Sequence, residues 1–311
     1  MTADVKASTA GPPSQSALAA GLRRVPELLV IWGPLLLAAA HIVVFTAWTV
    51  WISFTASTLM PVNEFVGLRN YNSVLATRNW KIAFDNLFVF GGGFVAFTML
   101  TGLLLAILID QRIRGENVLR SIFLYPMAVS FVVTGVVWSW LLNPGMGIQK
   151  LVNDLGWAGF RFDWIVDREM AIWTIVLAGV WQAAGFAMAL LLAGLRSVEP
   201  DLVKAAQIDG AGPLRMYTRV ILPTLWPIMV AVLVILLQMA ITTFDLVRAL
   251  TGGGPGIATQ LPALVVYDFM FQRGQIGRGA AAAVLMLLTL LGVLVPHALF
   301  KYAQQRRAAN A

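Results

Sequence analysis

The chain has 311 residues, of which 59% are hydrophobic and only 12% are charged. A soluble domain carries about 25% charged residues, so this composition excludes a soluble enzyme and a disordered chain. The net charge of +7 would suggest nucleic acid as the partner of a soluble protein, but in a membrane protein it more often marks basic cytoplasmic loops. Cysteine is absent, which excludes disulfides, thiolate metal sites and a cysteine nucleophile.

Six apolar stretches are each long enough to cross a bilayer core about 30 Å thick, which needs roughly 20 helical residues. The stretches are continuous and lack a period of two, which favours helices over barrel strands. We therefore predict an all-α membrane protein with six transmembrane helices, at about 28–54, 87–109, 122–142, 170–195, 226–247 and 280–300. The first stretch is longer than the apolar core of a signal peptide, about 7–15 residues, so we interpret it as a retained span.

The distribution of Lys and Arg between the loops predicts the orientation. With the N-terminus inside, thirteen basic residues fall on the cytoplasmic side and nine on the outer side, as the positive-inside rule requires. We therefore expect both termini in the cytoplasm, and the predicted charge asymmetry removes the need for nucleic acid as a partner. Residues 1–27 are predicted to be a flexible tail, 28–300 the membrane domain and 301–311 a second tail.

The cytoplasmic loop between the fourth and fifth predicted spans, about residues 196–226, is predicted to have structure of its own. Glu199-Pro200-Asp201 is typical of a helix start, because proline fits the first turn and acidic groups favour the positive end of the helix dipole. Gly210 follows where a left-handed cap is needed. Between Asp201 and Gly210, helical spacing predicts one face made mostly of small residues. That face consists of Leu202, Ala205, Ala206 and Asp209.

A second short helix is predicted to begin at Pro213 and to end at Pro223. Two short helices joined at a glycine suit either a surface connector or a docking element for a cytoplasmic partner. Spacing alone leaves both alternatives open.

The same loop resembles a known family. Residues 204–211 (Lys-Ala-Ala-Gln-Ile-Asp-Gly-Ala), followed by Leu-Pro at 222–223, resemble the EAA loop of ATP-binding-cassette importer permeases. Other segments are similar to sugar-uptake permeases of the maltose-transporter type, at 66–71, 138–147, 244–245 and 250–255. Residues 110–114 and 125–128 bring the resemblance closest to permeases of the glucose/mannose type.

The resemblance implies a type I importer permease fold whose cytoplasmic loop carries a coupling helix, in a multi-pass subunit of the bacterial inner membrane. It implies import of a sugar, glucose, mannose or a related mono- or oligosaccharide. It also implies four kinds of partner: a second homologous permease in a heterodimer, two ATPase subunits, a periplasmic sugar-binding protein and the lipid bilayer. The ATPase-coupling residues that it implies are Glu199, Lys204, Ala205, Ala206, Asp209, Gly210, Ala211, Leu222 and Pro223.

Two features qualify that implication. The family usually has Glu where this chain has Lys204, so the corresponding contact with the ATPase is left to Glu199, to Asp209 or to the partner permease. The chain also has no G-x-x-x-x-G-K-[ST] motif. We therefore expect no catalytic, cofactor-binding or metal-binding residue here, and ATP and Mg²⁺ on separate ATPase subunits.

Polar side chains within the fourth and fifth predicted spans are candidates for the substrate pathway, because such groups face the interior of a bundle. The polar candidates are Gln182 in the fourth span and Gln238, Thr242, Thr243 and Asp245 in the fifth. Trp181 and Phe186 in the fourth span are candidate aromatic platforms for a sugar. Helical spacing predicts that Gln238, Thr242 and Asp245 share one face. Hydrogen bonding between helices, without contact to a substrate, is an equal alternative for these polar groups. For Asp245, an ion pair with Arg248 is a further alternative.

Two other function classes remain to be weighed at this point. An ion-coupled secondary sugar carrier would need no docking loop, and it should show internal repeats and acidic residues in mid-span. An integral-membrane enzyme would need a nucleophile, a metal set or an acid pair, and the sequence shows none.

Overall fold

The computed structural model of the chain describes residues 15–111 and 113–309. In chain order the helices are α1 (Gln15–Ser53), α2 (Arg69–Ala76), α3 (Arg78–Asp110), α4 (Glu116–Ala128), α5 (Phe131–Leu141), α6 (Ile148–Asp154), α7 (Ala171–Leu195), α8 (Pro200–Ile208), α9 (Pro213–Met216), α10 (Leu222–Thr242), α11 (Asp245–Leu250), α12 (Pro262–Tyr267) and α13 (Ile276–Ala309). Two π-helical segments, Tyr217–Ile221 and Asp268–Gln272, follow α9 and α12. The predicted all-α class is confirmed, and the described residues add only an isolated bridge between Thr55 and Phe65.

Five helical stretches among the described residues are long and apolar enough to cross a membrane: Trp32–Ser53, Arg78–Asp110, Ala171–Leu195, Pro213–Thr242 and Ile276–Leu299. The bent pair α4 and α5 makes a sixth if it is counted as one span. By its contacts the chain divides into two units, of which the first ends at Trp51 and the second is Ile52–Ala311. All the sites described below belong to the second unit.

The core of the second unit lies where α7 packs between α3 and α10. A Cβ added at Gly102 of α3 would lie 2.7 Å from the Cβ of Ala187, and one added at Gly194 would lie 2.9 Å from a methyl of Leu225 on α10. Glycine at these two positions lets the helix backbones approach closely, as small residues do in membrane bundles. Around these contacts Met188 and Leu191 of α7 are fully buried.

The third predicted span is wrong as a continuous helix. Its residues form α4 and α5, which meet at an angle of 96°. Pro126 weakens the end of α4 because it has no N–H, and Val129 adopts an extended conformation with ψ 138°. Ser130 then starts α5, since its hydroxyl accepts a hydrogen bond of 3.2 Å from the N–H of Val133.

The fifth predicted span also has different limits. Pro223 does not end the second helix of the loop, because α9, the π-helical segment and α10 form one helical stretch, Pro213–Thr242. The wider π turn before Pro223, where the N–H of Leu222 bonds to the carbonyl of Tyr217, lets the helix continue past the proline. The stretch ends at Thr242 rather than at residue 247, because Thr243 is extended and Phe244 precedes the separate helix α11.

The termini of the membrane domain differ from the prediction as well. Helix α1 begins at Gln15, within the predicted tail 1–27, and residues 1–14 lie outside the described part. Helix α3 begins at Arg78 rather than at residue 87. Helix α13 continues to Ala309, through most of the predicted second tail. For α13 the reason is that alanine, glutamine and arginine, which favour helix, extend it beyond its apolar stretch.

Candidate functional site

The loop between α7 and α10 forms a short helix that ends in a glycine cap. Gly210 has φ +75°, and the N–H of Gly210 bonds to the carbonyl of Gln207 over 3.0 Å. The N–H of Ala211 bonds to the carbonyl of Ala206 over 2.9 Å. These two bonds are those of a Schellman cap, in which glycine takes the left-handed position without steric cost. The predicted cap at Gly210 is therefore confirmed.

The tip of this loop exposes large apolar side chains on both sides of the glycine. Ile208 of α8 is 85% exposed and Leu214 of α9 is 78% exposed, while Ala206 is buried. Ile208 and Leu214 therefore expose apolar surface on the two sides of Gly210. The predicted small-residue face is wrong as a single surface, because Leu202, Ala205 and Asp209 are exposed whereas Ala206 points inward.

The charged residues of the loop are all exposed. Lys204 forms an ion pair of 3.0 Å with Asp201, and their side chains are 69% and 89% exposed. Glu199 precedes α8 and makes no side-chain capping bond. An exposed pair of this kind contributes little to stability. The remaining predicted loop residues, Leu222 and Pro223, lie in the first turn of α10.

The loop contacts the end of α3 and the start of α4 through two of its residues, Arg196 and Tyr217. We call the positions of these two residues the roots of the loop. The Nη2 atom of Arg196 lies 2.7 Å from Oε1 of Glu116, and its Nε atom lies 3.6 Å from Oδ1 of Asp110. At the other root, the amide of Gln111 donates a hydrogen bond of 3.0 Å to the Tyr217 hydroxyl. Local sequence patterns do not indicate these contacts, because they join residues about a hundred positions apart.

A second group of candidate residues lies where the start of α5 meets the end of α10 and the start of α11. Gly135 of α5 packs against α11 so closely that an added Cβ would lie 2.6 Å from the Cβ of Ala249. Beside this contact is a cavity of about 200 Å³ between the end of α10, the start of α11 and the start of α5. Its lining residues are Phe131, Met239, Thr242, Thr243, Phe244, Asp245 and Leu246.

The cavity brings together three of the seven predicted pathway residues. The Thr242 hydroxyl donates to the carbonyl of Gln238 over 3.0 Å, and the Thr243 hydroxyl donates to that of Met239 over 2.7 Å. Both hydroxyl oxygens keep acceptor capacity. Asp245 is exposed at the first turn of α11, where the helix dipole favours a carboxylate.

The other predicted relationships of these residues are not found. Gln238 does not share a helix face with Asp245, because α10 ends at Thr242 between them. Among the described residues no ion pair joins Asp245 to Arg248. Arg248 instead lies over the ring of Tyr267, 5.2 Å from its centroid.

The three candidates on α7 lie outside the lining of this cavity. Gln182 is buried, and its amide donates a hydrogen bond of 2.7 Å to the carbonyl of Val129, at the break between α4 and α5. Trp181 is 43% exposed and its ring packs edge-on against Trp138, with centroids 5.9 Å apart. Phe186 is half-buried. Among the described residues, no cluster of three His, Cys, Asp or Glu side chains could hold a metal ion.

The chain is similar in sequence to known transport proteins. Residues 98–309 match the family model described as "Binding-protein-dependent transport system inner membrane component". The chain is 33% identical to a xylose/arabinose import permease of Haloferax volcanii, over 88% of this chain and 87% of the relative. It is 34% identical to a trehalose/maltose transport system permease of Thermococcus litoralis, over 79% and 83%.

The fold is also that of a solved structure. A chain of a bacterial ABC transporter involved in the import of the acidic polysaccharide alginate superposes with a TM-score of 0.77. The match covers 94% of this chain and 99% of that chain at 21% identity, so it concerns the fold alone.

Proposed function

The chain belongs to the family of binding-protein-dependent transport inner membrane components, the multi-pass permeases of ATP-binding-cassette importers, and we propose that it forms one half of a sugar path. It is a transport component and not an enzyme. The family membership disfavours the ion-coupled carrier and the membrane enzyme as alternatives. The proposed substrate is a neutral sugar, with glucose, mannose and related mono- or oligosaccharides as the first candidates.

The cavity between α5, α10 and α11 is the observation that carries the proposal. It offers two threonine hydroxyls, one carboxylate and the rings of Phe131 and Phe244. Hydroxyl and carboxylate oxygens suit the hydroxyls of a sugar, and aromatic rings suit its apolar face. A phosphorylated or acidic substrate would be repelled by Asp245.

We propose that a second permease completes the site, because the cavity in this chain is small. Its volume of about 200 Å³ is below that of ordinary small-molecule sites, which is about 300–1,000 Å³. We therefore place the complete site between this chain and a homologous subunit in a heterodimer. The sugar would reach it from a periplasmic binding protein at the outer end of the bundle.

The tip of the loop between α7 and α10 is the proposed docking surface for one of two ATPase subunits. Ile208 and Leu214 would enter an apolar groove of that subunit, and the Schellman cap at Gly210 sets the angle between them. ATP and Mg²⁺ would be held by the ATPases. Lys204 is paired with Asp201 within this chain, so Glu199 and Asp209 are the acidic groups left for contacts with the ATPase.

The proposed docking surface implies an orientation for the chain. The loop and both termini face the cytoplasm, and the chain lies in the bacterial inner membrane. The excess of basic residues on that side agrees with the positive-inside rule.

Purification through a tag on this chain tests the proposal. We expect a second permease and ATPase subunits to co-purify, and calorimetry should show that the associated binding protein binds a neutral sugar from a panel of glucose, mannose, maltose, trehalose, xylose and arabinose. Binding only of a phosphorylated ligand would contradict the assignment of the substrate. Purification of this chain without any ATPase would contradict the assignment of the transport mechanism.

A further inference from the structure

Two neighbouring residues at the end of α3 hold both roots of the coupling loop. Asp110, the last residue of α3, faces Arg196 at the first root, with 3.6 Å between Oδ1 and Nε. Gln111, the next residue, donates a hydrogen bond of 3.0 Å to the Tyr217 hydroxyl at the second root. We call these four residues the root clamp. Because its two contacts lie on opposite ends of the loop, the loop cannot shift as a body without breaking both or carrying the end of α3 with it.

Arg196 extends the root clamp to α4. Its Nη2 atom lies 2.7 Å from Oε1 of Glu116, the first residue of α4, and the same oxygen lies 3.3 Å from Arg120. The side chains of Arg196, Asp110 and Glu116 are 39%, 31% and 21% exposed, so the cluster is partly shielded from water. The fork of an arginine can hold two carboxylates at once in a fixed geometry, which a lysine ammonium cannot do.

Helix α4 leads from this cluster to the proposed sugar cavity. It has 13 residues, so it is about 20 Å long at 1.5 Å per residue. At its far end are the break at Val129 and then Phe131, which lines the cavity. A movement of Arg196 that carried Glu116 with it would displace α4 and, at its far end, Phe131.

We propose that Arg196 is a positioning residue that transmits the movement of the coupling loop to α3 and α4, and through α4 to the wall of the sugar cavity. The inference rests on the proposed function, since it needs an ATPase that moves the loop. It adds a path within this chain from the docking surface to the cavity. Arg196 itself touches neither sugar nor nucleotide in this scheme.

The test measures how many sugar molecules are accumulated for each ATP hydrolysed. The complete importer is reconstituted in liposomes with its binding protein and with whichever sugar of the panel the wild-type complex accumulates. In the double variant Arg196→Gln with Tyr217→Phe, both roots are released, and we expect the ratio to fall by about fivefold or more while ATP hydrolysis continues. Arg196→Lys keeps the charge but not the fork, so its ratio should lie between that of the wild type and that of the double variant.

The control is an exposed ion pair elsewhere in the chain, away from the loop. Lys150 and Asp154 of α6 lie 2.7 Å apart and are both exposed, and Lys150→Gln should leave the ratio unchanged. An unchanged ratio in the double variant would overturn the inference. If the double variant does not assemble, the single variants Tyr217→Phe and Arg196→Lys are measured in its place. A wild-type ratio of sugar accumulated to ATP hydrolysed in both of them would overturn the inference.

Failure of the inference can be told from failure of the proposed function. A wild-type complex that accumulates no sugar on addition of ATP would contradict the proposed function. The role of Arg196 would then be contradicted as well, because it depends on that function. A wild-type complex that accumulates sugar, together with variants of unchanged ratio, would overturn the role of the root clamp alone.

Discussion

Gln182 of α7 donates a hydrogen bond of 2.7 Å to the backbone carbonyl of Val129, the residue at which the third span breaks. A break in a membrane helix frees backbone groups that lipid cannot satisfy, and each must find a partner within the protein. Gln182 is 2% exposed and supplies that partner. Its position therefore agrees with hydrogen bonding between helices, the alternative to a direct contact with the substrate.

Replacing Gln182 with Leu should destabilise the chain. The carbonyl of Val129 would be left without its partner in a buried place, which costs about 1–3 kcal/mol. Thermal unfolding of the purified complex would report the loss as a lower midpoint. The same substitution at Gln238, an exposed glutamine of α10, is the matched control and should leave the midpoint in place. Equal midpoints for the two variants would contradict the role of Gln182.

Replacing Gly210 with Val should uncouple ATP hydrolysis from transport. Residue 210 has φ +75°, a conformation that costs an L-residue roughly 1–2 kcal/mol. An added Cβ would meet nothing within 4 Å, so the effect would come from the backbone and not from a clash. Gly212→Ala, at φ −66°, is the control, because alanine adopts that conformation freely. Normal sugar uptake by the Gly210→Val variant would rule out the docking role of the loop.

Removing the Thr242 hydroxyl should weaken sugar transport. Thr242 lines the cavity and Gln238 does not, so Thr242→Val should raise the KM of uptake while Gln238→Leu should not. A single neutral hydrogen bond contributes about 0.5–1.5 kcal/mol, which corresponds to an increase in KM of about twofold to twelvefold. Uptake kinetics over a range of sugar concentrations would measure it. A larger effect at Gln238 than at Thr242 would place the path elsewhere.

Replacing Gly135 with Ala should separate α5 from α11. The added methyl would lie 2.6 Å from the Cβ of Ala249 and 2.9 Å from the carbonyl oxygen of Leu246. Overpacking of this kind costs about 1–3 kcal/mol, and it would also distort the adjoining cavity. Gly92→Ala on α3, where nothing lies within 4 Å, is the control for both unfolding and uptake. Equal stability and equal uptake for the two variants would show that the close contact between α5 and α11 is not required.

Local sequence signals were enough to predict much of the fold. The apolar stretches locate the spans, and the Asp-Gly pair at residues 209–210 predicts the glycine cap that the structure contains. These features depend on neighbouring residues, so periodicity and residue type reveal them. The resemblance of the loop at 204–211 identified the family for the same reason.

Features that depend on distant residues were not predicted. The break at Val129 lies within a continuous apolar run, and it is stabilised by Gln182, more than fifty positions away. Pro126 and Ser130 are the local signals that would have suggested it. The contacts of Arg196 with Asp110 and Glu116 likewise join three separate helix ends, and nothing in the sequence around Arg196 indicates them.

We propose that this chain carries a neutral sugar across the membrane only when an ATPase docks on its loop. ATP-dependent accumulation of the panel sugar that the associated binding protein binds, measured in proteoliposomes with and without the ATPase subunits, tests it most directly. We predict accumulation above the external concentration with ATP and the ATPase subunits, and none when either is omitted. Accumulation driven by an ion gradient without the ATPase would contradict the account.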